Sequence, residues 1–236
     1  MVKFKLNDDI INFAKFAESK GKILFLVGGF VRDSIIGIKS LDIDSTGSIS
    51  IEEVQEFCDL FNCILEIKNK KLQVAKIIFS SGFSLEYARM RVEHYKDEFS
   101  HAPEKISFTD RIEEDYKRRD FTINALYLDP LTLEIYDFVG GMSDIIQGTL
   151  RDITVDGRSS LCFDPERILR GIELSLRLNF KIDDNTLNLL ISNFENVEKL
   201  SSARRNECLA KINSHSIERL DKTLKEKLKK LEEVSN

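Results

Sequence analysis

The stretch LVGGFVRDSIIGIKSLDIDSTG, Leu26 to Gly47, puts a glycine pair, an Arg-Asp pair and two aspartates one residue apart into a single short span. KILFLV, Lys22 to Val27, is an apolar run that ends on Gly28 and Gly29, the pattern of a buried strand entering a tight turn. FVRDSIIG then reads as a short helix stopped at Gly37, and SLDIDST as the next strand. On a strand successive side chains alternate faces, so Asp42 and Asp44 face the same way while Ile43 turns to the core. Two carboxylates at one spot suit a hard divalent cation that keeps waters and shares phosphate oxygens, above all Mg2+. Two solvated aspartates at a strand edge are the plainer alternative. If the two strands are neighbours joined by the helix, the glycine turn lies at a helix N-terminus, where unpaired amides favour a phosphate. Glycine pairs at such turns also occur for steric reasons alone. A phosphate cradle beside metal ligands suggests phosphoryl or nucleotidyl transfer. Neither the Gly-x-Gly-x-x-Gly fingerprint nor Gly-Lys-Ser/Thr is present, so this is not a dinucleotide fold or a P-loop.

The rest of the chain alternates elements and then turns helical. LNDDIINFAKFAESKG places Ile10, Phe13, Ala14 and Ala17 at helical spacing, an amphipathic helix rather than a signal peptide. IEEVQEFCDLF reads as a helix, KLQVAKIIFS and FSLEYARMRVE as a hairpin about SSG, and LEIYDFVGG as one more strand. From EEDYKRRDFTINALYLD onward helix is expected to dominate, with Asp120 opening a helix and no strand beyond about Leu150. A mixed-sheet domain followed by a helical one, an α+β chain, is the expected architecture. LDKTLKEKLKKLEEVSN sets Leu220, Leu224, Leu228 and Leu231 at helical spacing, so a terminal helix must pack on something. With 236 residues, 42% of them hydrophobic, the chain can bury a real core. A formal charge of -5 announces no general field for nucleic acid, and any such binding rests on a local patch. Cys58, Cys63, Cys162 and Cys208 form no Cys-x-x-Cys pair and read as reduced thiols of a cytoplasmic protein, and no apolar run is long enough to span a membrane.

RRDFTINALYLDP (Arg118 to Pro130), DFVGGMSDIIQGTLRDI (Asp137 to Ile153), FDPERILRGIELSLRLNF (Phe163 to Phe180) and KLSSARRNECLAKI (Lys199 to Ile212) follow the first span. Together, and in this order, the five resemble the motifs of the tRNA nucleotidyltransferase and bacterial poly(A) polymerase family, the bacterial and eukaryotic type of CCA-adding enzyme. The resemblance implies a polymerase-β-like nucleotidyltransferase head with a mixed sheet, over 1–145, and an all-helical neck over 146–236. It implies template-independent addition of C and A from CTP and ATP to a tRNA 3' end, the primer hydroxyl attacking the α-phosphate and pyrophosphate leaving. Gly28, Gly29 and Arg32 would meet the triphosphate, Asp42 and Asp44 would bind Mg2+, and Glu86 would assist the hydroxyl. Arg89 or Arg91 would be further phosphate-side cations, or else surface partners of nearby acids. Arg119, Asp120 and Asn124 would recognise the ribose 2'-hydroxyl, while N-capping alone also accounts for Asp120. Asp164 followed by Pro165 is a helix start, with Pro165 at the first helical position and Arg167 a turn later on the same face. In the family such a pair reads the base edge, accepting from the exocyclic amine of C or A and donating to the ring; a bare intrahelical salt bridge is the other reading. Arg170 and Arg177 continue a basic stripe toward phosphates or solvent. Arg204 and Glu207 would buttress the neck.

Two positions depart from the family pattern: Phe163 stands where a glutamate usually precedes the aspartate, and Glu173 where an arginine is usual. The chain also stops soon after the last motif, where relatives continue into a body and tail that hold the tRNA. The sequence thus fits either a truncated form or a compact variant that grips its primer through a partner protein or a homodimer. Enzymes adding only CC, only A, or poly(A) remain open alternatives. So do a catalytically silent RNA-binding relic of the fold and a nucleotidyltransferase acting on a small molecule.

Overall fold

The computed structural model describes residues 4–40, 42–100 and 102–235, so Leu41 of the expected second strand and the terminal Asn236 lie outside the described residues. The chain forms two compact units: residues 1–93, 106–118 and 123–142 make the first, and residues 94–105, 119–122 and 143–236 the second.

The first unit is built on a seven-stranded mixed sheet. Its elements run α1 (Asp8–Ser19), β1 (Leu24–Val27), α2 (Gly29–Ile35), β2 (Asp44–Gly47), α3 (Ile51–Phe61), β3 (Ile64–Asn69), β4 (Val74–Ile78) and β5 (Ser84–Arg89). After β6 (Arg91–His94), β7 (Lys105–Phe108) and α4 (Ile112–Asp115), it closes with β8 (Leu126–Leu128) and β9 (Ile135–Asp137). The sheet order is β3-β4-β5-β2-β1-β8-β9, antiparallel throughout except where β2 meets β5. α1 forms where the spacing predicts it: Asn7 caps it by accepting from the Asp9 N–H, two aspartates occupy its first turn, and Ile10, Phe13, Ala14 and Ala17 are buried. Phe13 meets Phe57 of α3 and Tyr87 of β5, with ring centroids 4.7 and 5.8 Å apart. α3 carries a full capping box between Ser50 and Glu53, and the expected hairpin is β4 and β5.

The segment from 111 to 128 corrects the expectation of a helix. α4 has only four residues, 3-10 turns cover Tyr116–Arg118 and Thr122–Asn124, and Leu126 begins a strand. Asp115 is fully buried and accepts from the Tyr127 hydroxyl and the Arg118 Nε–H, both at 2.7 Å. With Leu126, Tyr127 and Leu128 all buried, β8 pairs with β1 and β9, and this burial outweighs local helix propensity.

The second unit is helical, with small ladders that the sequence did not announce. α5 (Gly141–Gln147), α6 (Glu166–Leu178), α7 (Asp184–Asn193), α8 (Ser202–Asn213) and α9 (Lys222–Ser235) alternate with β10 (Thr149–Leu150), β11 (Thr154–Val155), β12 (Arg158–Ser159) and β13 (Lys181–Ile182). These strands lie at or beyond Leu150, where none was expected, because two-residue strands carry no periodicity to read. Their signal was instead the dipeptide Asp156-Gly157, which joins β11 to β12 with φ of 51° and 76°. β10 and β13 pair in parallel. α9 packs against α8 and buries Leu224, Leu228 and Leu231, while Leu220, also buried, lies just before the helix. Cys58, Cys63, Cys162 and Cys208 are free thiols, and burial pushes that of Cys58 up to about 12.

Gly171, in the middle of α6, faces Phe121: a Cβ there would lie 2.7 Å from the Phe121 ring, which is itself fully buried. Gly171→Ala adds helix propensity of roughly 1 kcal/mol, but overpacking of this kind costs about 1–3 kcal/mol. The variant should therefore unfold at lower urea concentration than the wild type; a higher midpoint would show that Phe121 can give way.

Candidate active site

In the first unit the glycine turn and the acidic strand meet by register. Val27 lies opposite Asp44 in the β1–β2 ladder, and Gly28 follows at φ 69° and ψ -138°, a left-handed conformation that favours glycine. A Cβ on Gly28 would lie 3.2 Å from Asp44 Oδ2, so the absent side chain is what admits the carboxylate against the turn. Asp42 and Asp44 are exposed while Ile43 is half-buried, the alternation expected of a strand, although β2 itself begins only at Asp44. Glu86 is the register partner of Asp44 in the parallel β2–β5 ladder, and its N–H donates to the Ile43 carbonyl at 3.0 Å. Its carboxylate stands 4.0 Å from Lys76 Nζ. Asp44, at the start of β2, and Glu86, within β5, are thus register partners on adjacent strands, and Asp44 lies against the glycine turn.

Arg32 departs from the expected display toward a triphosphate. It is only 2% exposed, and its Nε and Nη2 hold Asp33 Oδ1 at 2.8 and 2.7 Å while Nη1 donates to Asn124 Oδ1. Asn124, expected at a ribose hydroxyl, is thus engaged by Arg32 from inside. The physical reason is the neighbouring Asp33, the other half of the Arg-Asp pair, which makes burial of the cation tolerable. Arg89 and Arg91 also face inward. Arg89 donates to Gln73 Oε1 at 3.1 Å and lies 4.5 Å over the Phe108 ring. Arg91 forks onto Glu93 with Nε and Nη2 both at 2.8 Å, and burial, then the nearby Arg118, hold its pKa below the usual guanidinium value.

The second unit collects the remaining candidates. Asp120 is buried; its Oδ1 accepts from the Phe121 N–H at 2.7 Å and its Oδ2 lies 3.0 Å from Arg170 Nε. It opens no α-helix, since only the single 3-10 turn Thr122–Asn124 follows. α6 starts one residue later than expected: Pro165 is its cap and Glu166 its first residue, with Asp164 Oδ1 accepting from the Glu166 N–H at 2.9 Å. Arg167 Nη1 donates to the carbonyls of Ser160 and Arg119 at 3.1 and 3.3 Å, so the guanidinium is seated on the backbone that carries Asp120. Arg204 forks onto Glu166 at 2.8 and 2.6 Å and also reaches Glu207, tying α8 to the first turn of α6. Glu166 is a residue the sequence reading missed, because a fork across two helices leaves no spacing signal. The two departures have structural occupations: Phe163 stacks on Tyr95 at 4.8 Å and 17°, and Glu173 pairs with Arg177 at 2.9 Å.

Comparison with known proteins places these features in context. The model of the poly A polymerase head domain matches residues 24–151. The CCA-adding enzyme of Staphylococcus epidermidis is 30% identical over 190 residues, 80% of this chain and 46% of that protein. Poly(A) polymerase I of Salmonella typhimurium is 32% identical over 172 residues, 69% of this chain and 36% of that protein. The solved Thermotoga maritima CCA-adding enzyme complexed with tRNA_CCA aligns with a TM-score of 0.73 at 28% identity, covering 96% of this chain and 52% of that one. The chain thus spans about half or less of the length of the curated relatives it matches.

Removing Arg32 leaves Asp33, only 6% exposed, without its fork. Arg32→Ala should cost roughly 3–5 kcal/mol, the penalty for breaking a buried pair, read as a fall in the urea midpoint. Arg204→Ala, at a half-exposed site, should cost far less. Equal losses in the two variants would remove the buried-pair assignment.

Proposed function

This chain belongs to the poly A polymerase head-domain family, and from that premise we propose that it adds C and A to the 3' end of tRNA from CTP and ATP, releasing pyrophosphate. The observation that carries this reading is the meeting of Asp44 with the Gly28 turn, with Glu86 in register beside it. Residues 1–145 would act as the nucleotidyltransferase head and 146–236 as the helical neck.

Gly28 and Gly29 would offer their backbone to a triphosphate: neither carries a side chain, Gly28 is buried against Asp44, and Gly29 is half-buried beside the Arg32 guanidinium. Among the described residues no group of three or more His, Cys, Asp or Glu side chains is arranged to hold a metal by itself. Mg2+ fits here all the same, since it is held by one or two carboxylates plus substrate phosphates, and exposed Asp42 and Asp44 are of that kind. When bound, Mg2+ supplies charge stabilisation to the attacking and leaving oxygens. Glu86, in register with Asp44, would help activate the primer hydroxyl. Arg119, Asp120 and Asn124 would distinguish the ribose, with Arg32 orienting Asn124 from within and Arg170 holding Asp120.

Base choice falls to Asp164 and Arg167. A carboxylate accepts from the exocyclic amine of cytosine or adenine, and a guanidinium donates to the adjacent ring acceptor. Uracil and guanine present the reverse pattern and leave polar groups unpaired. Seating Arg167 on two backbone carbonyls fixes the donor before the base arrives. The tRNA end, CTP and ATP are the proposed partners, in the cytoplasm; among the described residues no helix is long and apolar enough to cross a membrane. The likeness to a poly(A) polymerase keeps one further reading in view, addition of A alone.

The deciding measurement is incorporation of each labelled nucleoside triphosphate, with Mg2+, into tRNA ending at the discriminator base, at C, or at CC. Sequential addition of C, C and A that then stops is the expected result. Growth of an A tail on every primer would replace it with the poly(A) reading. Asp42→Ala combined with Asp44→Ala should lower incorporation by ~1,000-fold or more, several kcal/mol of lost stabilisation, with the fold intact by circular dichroism. Arg167→Ala should reduce the preference for C and A over U and G by about tenfold or more; unchanged preference would return Arg167 to a structural part.

A further inference from the structure

The loop between β10 and α6 carries a buried polar knot that none of the roles above uses. Ser160 Oγ lies 2.6 Å from the backbone carbonyl of Asp120 and 2.6 Å from Oδ1 of Asp152. A hydroxyl has one proton to give, and a carbonyl and a carboxylate can only accept. Two oxygens at that separation with no proton between them repel. The carbonyl cannot carry the missing proton, so it belongs to Asp152: the acid donates to the Ser160 hydroxyl, which donates to the Asp120 carbonyl. Burial works in the same direction. Asp152 is 6% exposed, and desolvation raises its pKa above the ordinary carboxylate value against the opposing contacts from Ser160, Ser159, Thr154 and the Leu161 N–H.

We propose that Asp152 is held as the neutral carboxylic acid at neutral pH and, through Ser160, is a positioning residue for base selection, fixing the Arg119–Asp120 backbone on which Arg167 is seated. The positioning half of this statement rests on the function proposed above. The knot is tied on every side. The Asp120 carbonyl also accepts from the Ile153 N–H at 3.1 Å, the Thr122 N–H donates to the Arg151 carbonyl at 3.0 Å, and the Asp152 N–H donates to Thr186 Oγ1 at 2.9 Å. Arg167 then bonds to the carbonyls of both Ser160 and Arg119. Ionising Asp152 draws the Ser160 proton toward the carboxylate and leaves the Asp120 carbonyl facing a lone pair. The carbonyls that seat Arg167 shift in consequence.

The charged surroundings are mixed. Asp120 adjoins the knot with its carboxylate turned to Arg170, Asp183 shares Thr186 with it, and Arg151 is turned away to Asp144. Cys162 feels both Asp152 and Arg158. Because the folded pKa is raised, the folded chain keeps a proton that the unfolded chain has released. Stability contributed by Asp152 is therefore complete in acid and is lost as pH rises through its folded pKa.

The first test needs no activity. An infrared difference spectrum of wild type minus Asp152→Asn, near pH 7, should contain the carbonyl stretch of a protonated carboxylic acid; its absence overturns the proposal. Asp152→Asn offers an amide N–H in place of the acid proton. It should keep the wild-type preference for C and A and gain thermal stability relative to wild type as pH is raised from about 5 to about 8. Asp152→Ala should lose roughly threefold to tenfold of that preference, the scale of one hydrogen bond. Ser160→Ala reads the same relay should Asp152→Ala fail to fold. Loss of preference in Asp152→Asn equal to that in the alanine variants, or no loss in any of them, overturns the positioning role. A chain that shows the acid band but adds no nucleotide to any primer retains the protonation, while its failure counts against the proposed function.

Discussion

The close approach of Asp44 to the backbone of Gly28 is the constraint on which the first unit depends. It requires the antiparallel pairing that sets Val27 opposite Asp44, a positive φ at Gly28, and no Cβ between the turn and the carboxylate. Each condition is useless without the others. The β1–β2 ladder delivers the aspartate, the glycine admits it, and the helix that follows begins at the next residue. Glu86 joins only because β5 runs parallel to β2, so that the two acids are register partners on neighbouring strands. The sheet order places this junction centrally, with two strands beyond β5 on one side and two beyond β1 on the other. A rigid centre of that kind holds side chains in place better than a surface loop does.

Buried charges in the first unit are handled in a consistent way. Arg32 and Asp33, Arg91 and Glu93, and the fully buried Asp115 with Arg118 are each paired at short range, which is what burial of ions demands. These cations orient other groups rather than meeting solvent: Arg32 holds Asn124, and Arg118 helps fix the acid that also binds Tyr127. Asp152 solves the same problem differently, by keeping its proton in the solvent-excluded segment and acting as a donor. The second unit thus mixes one neutral acid with an exposed ionic clamp, Arg204 on Glu166 and Glu207, where solvent keeps the pairing weak.

Much of this was legible in the residues. The apolar spacing of α1 and α9, the glycine-terminated first strand, the β4–β5 hairpin and the alternation of Asp42, Ile43 and Asp44 all follow from local patterns that the structure repeats. The segment from Arg111 to Leu128 was not legible, because its sequence favours a helix while the vacancy between β1 and β9 favours a strand, and burial of Tyr127 decides the matter. The short ladders after Leu150 escaped notice for a simpler reason: two residues cannot display a period.

The sequence by itself determined the order of motifs, the family, and which side chains have the chemistry to bind phosphate, metal and base. Only the tertiary structure decided how those side chains are used. It turned Arg32 inward onto Asp33 and Asn124, set Arg167 on the carbonyls of Arg119 and Ser160, and brought Asp152 within reach of Ser160 and the Asp120 carbonyl. The physical reason is that a motif fixes residue types along the chain, whereas hydrogen bonding and desolvation depend on neighbours many residues away.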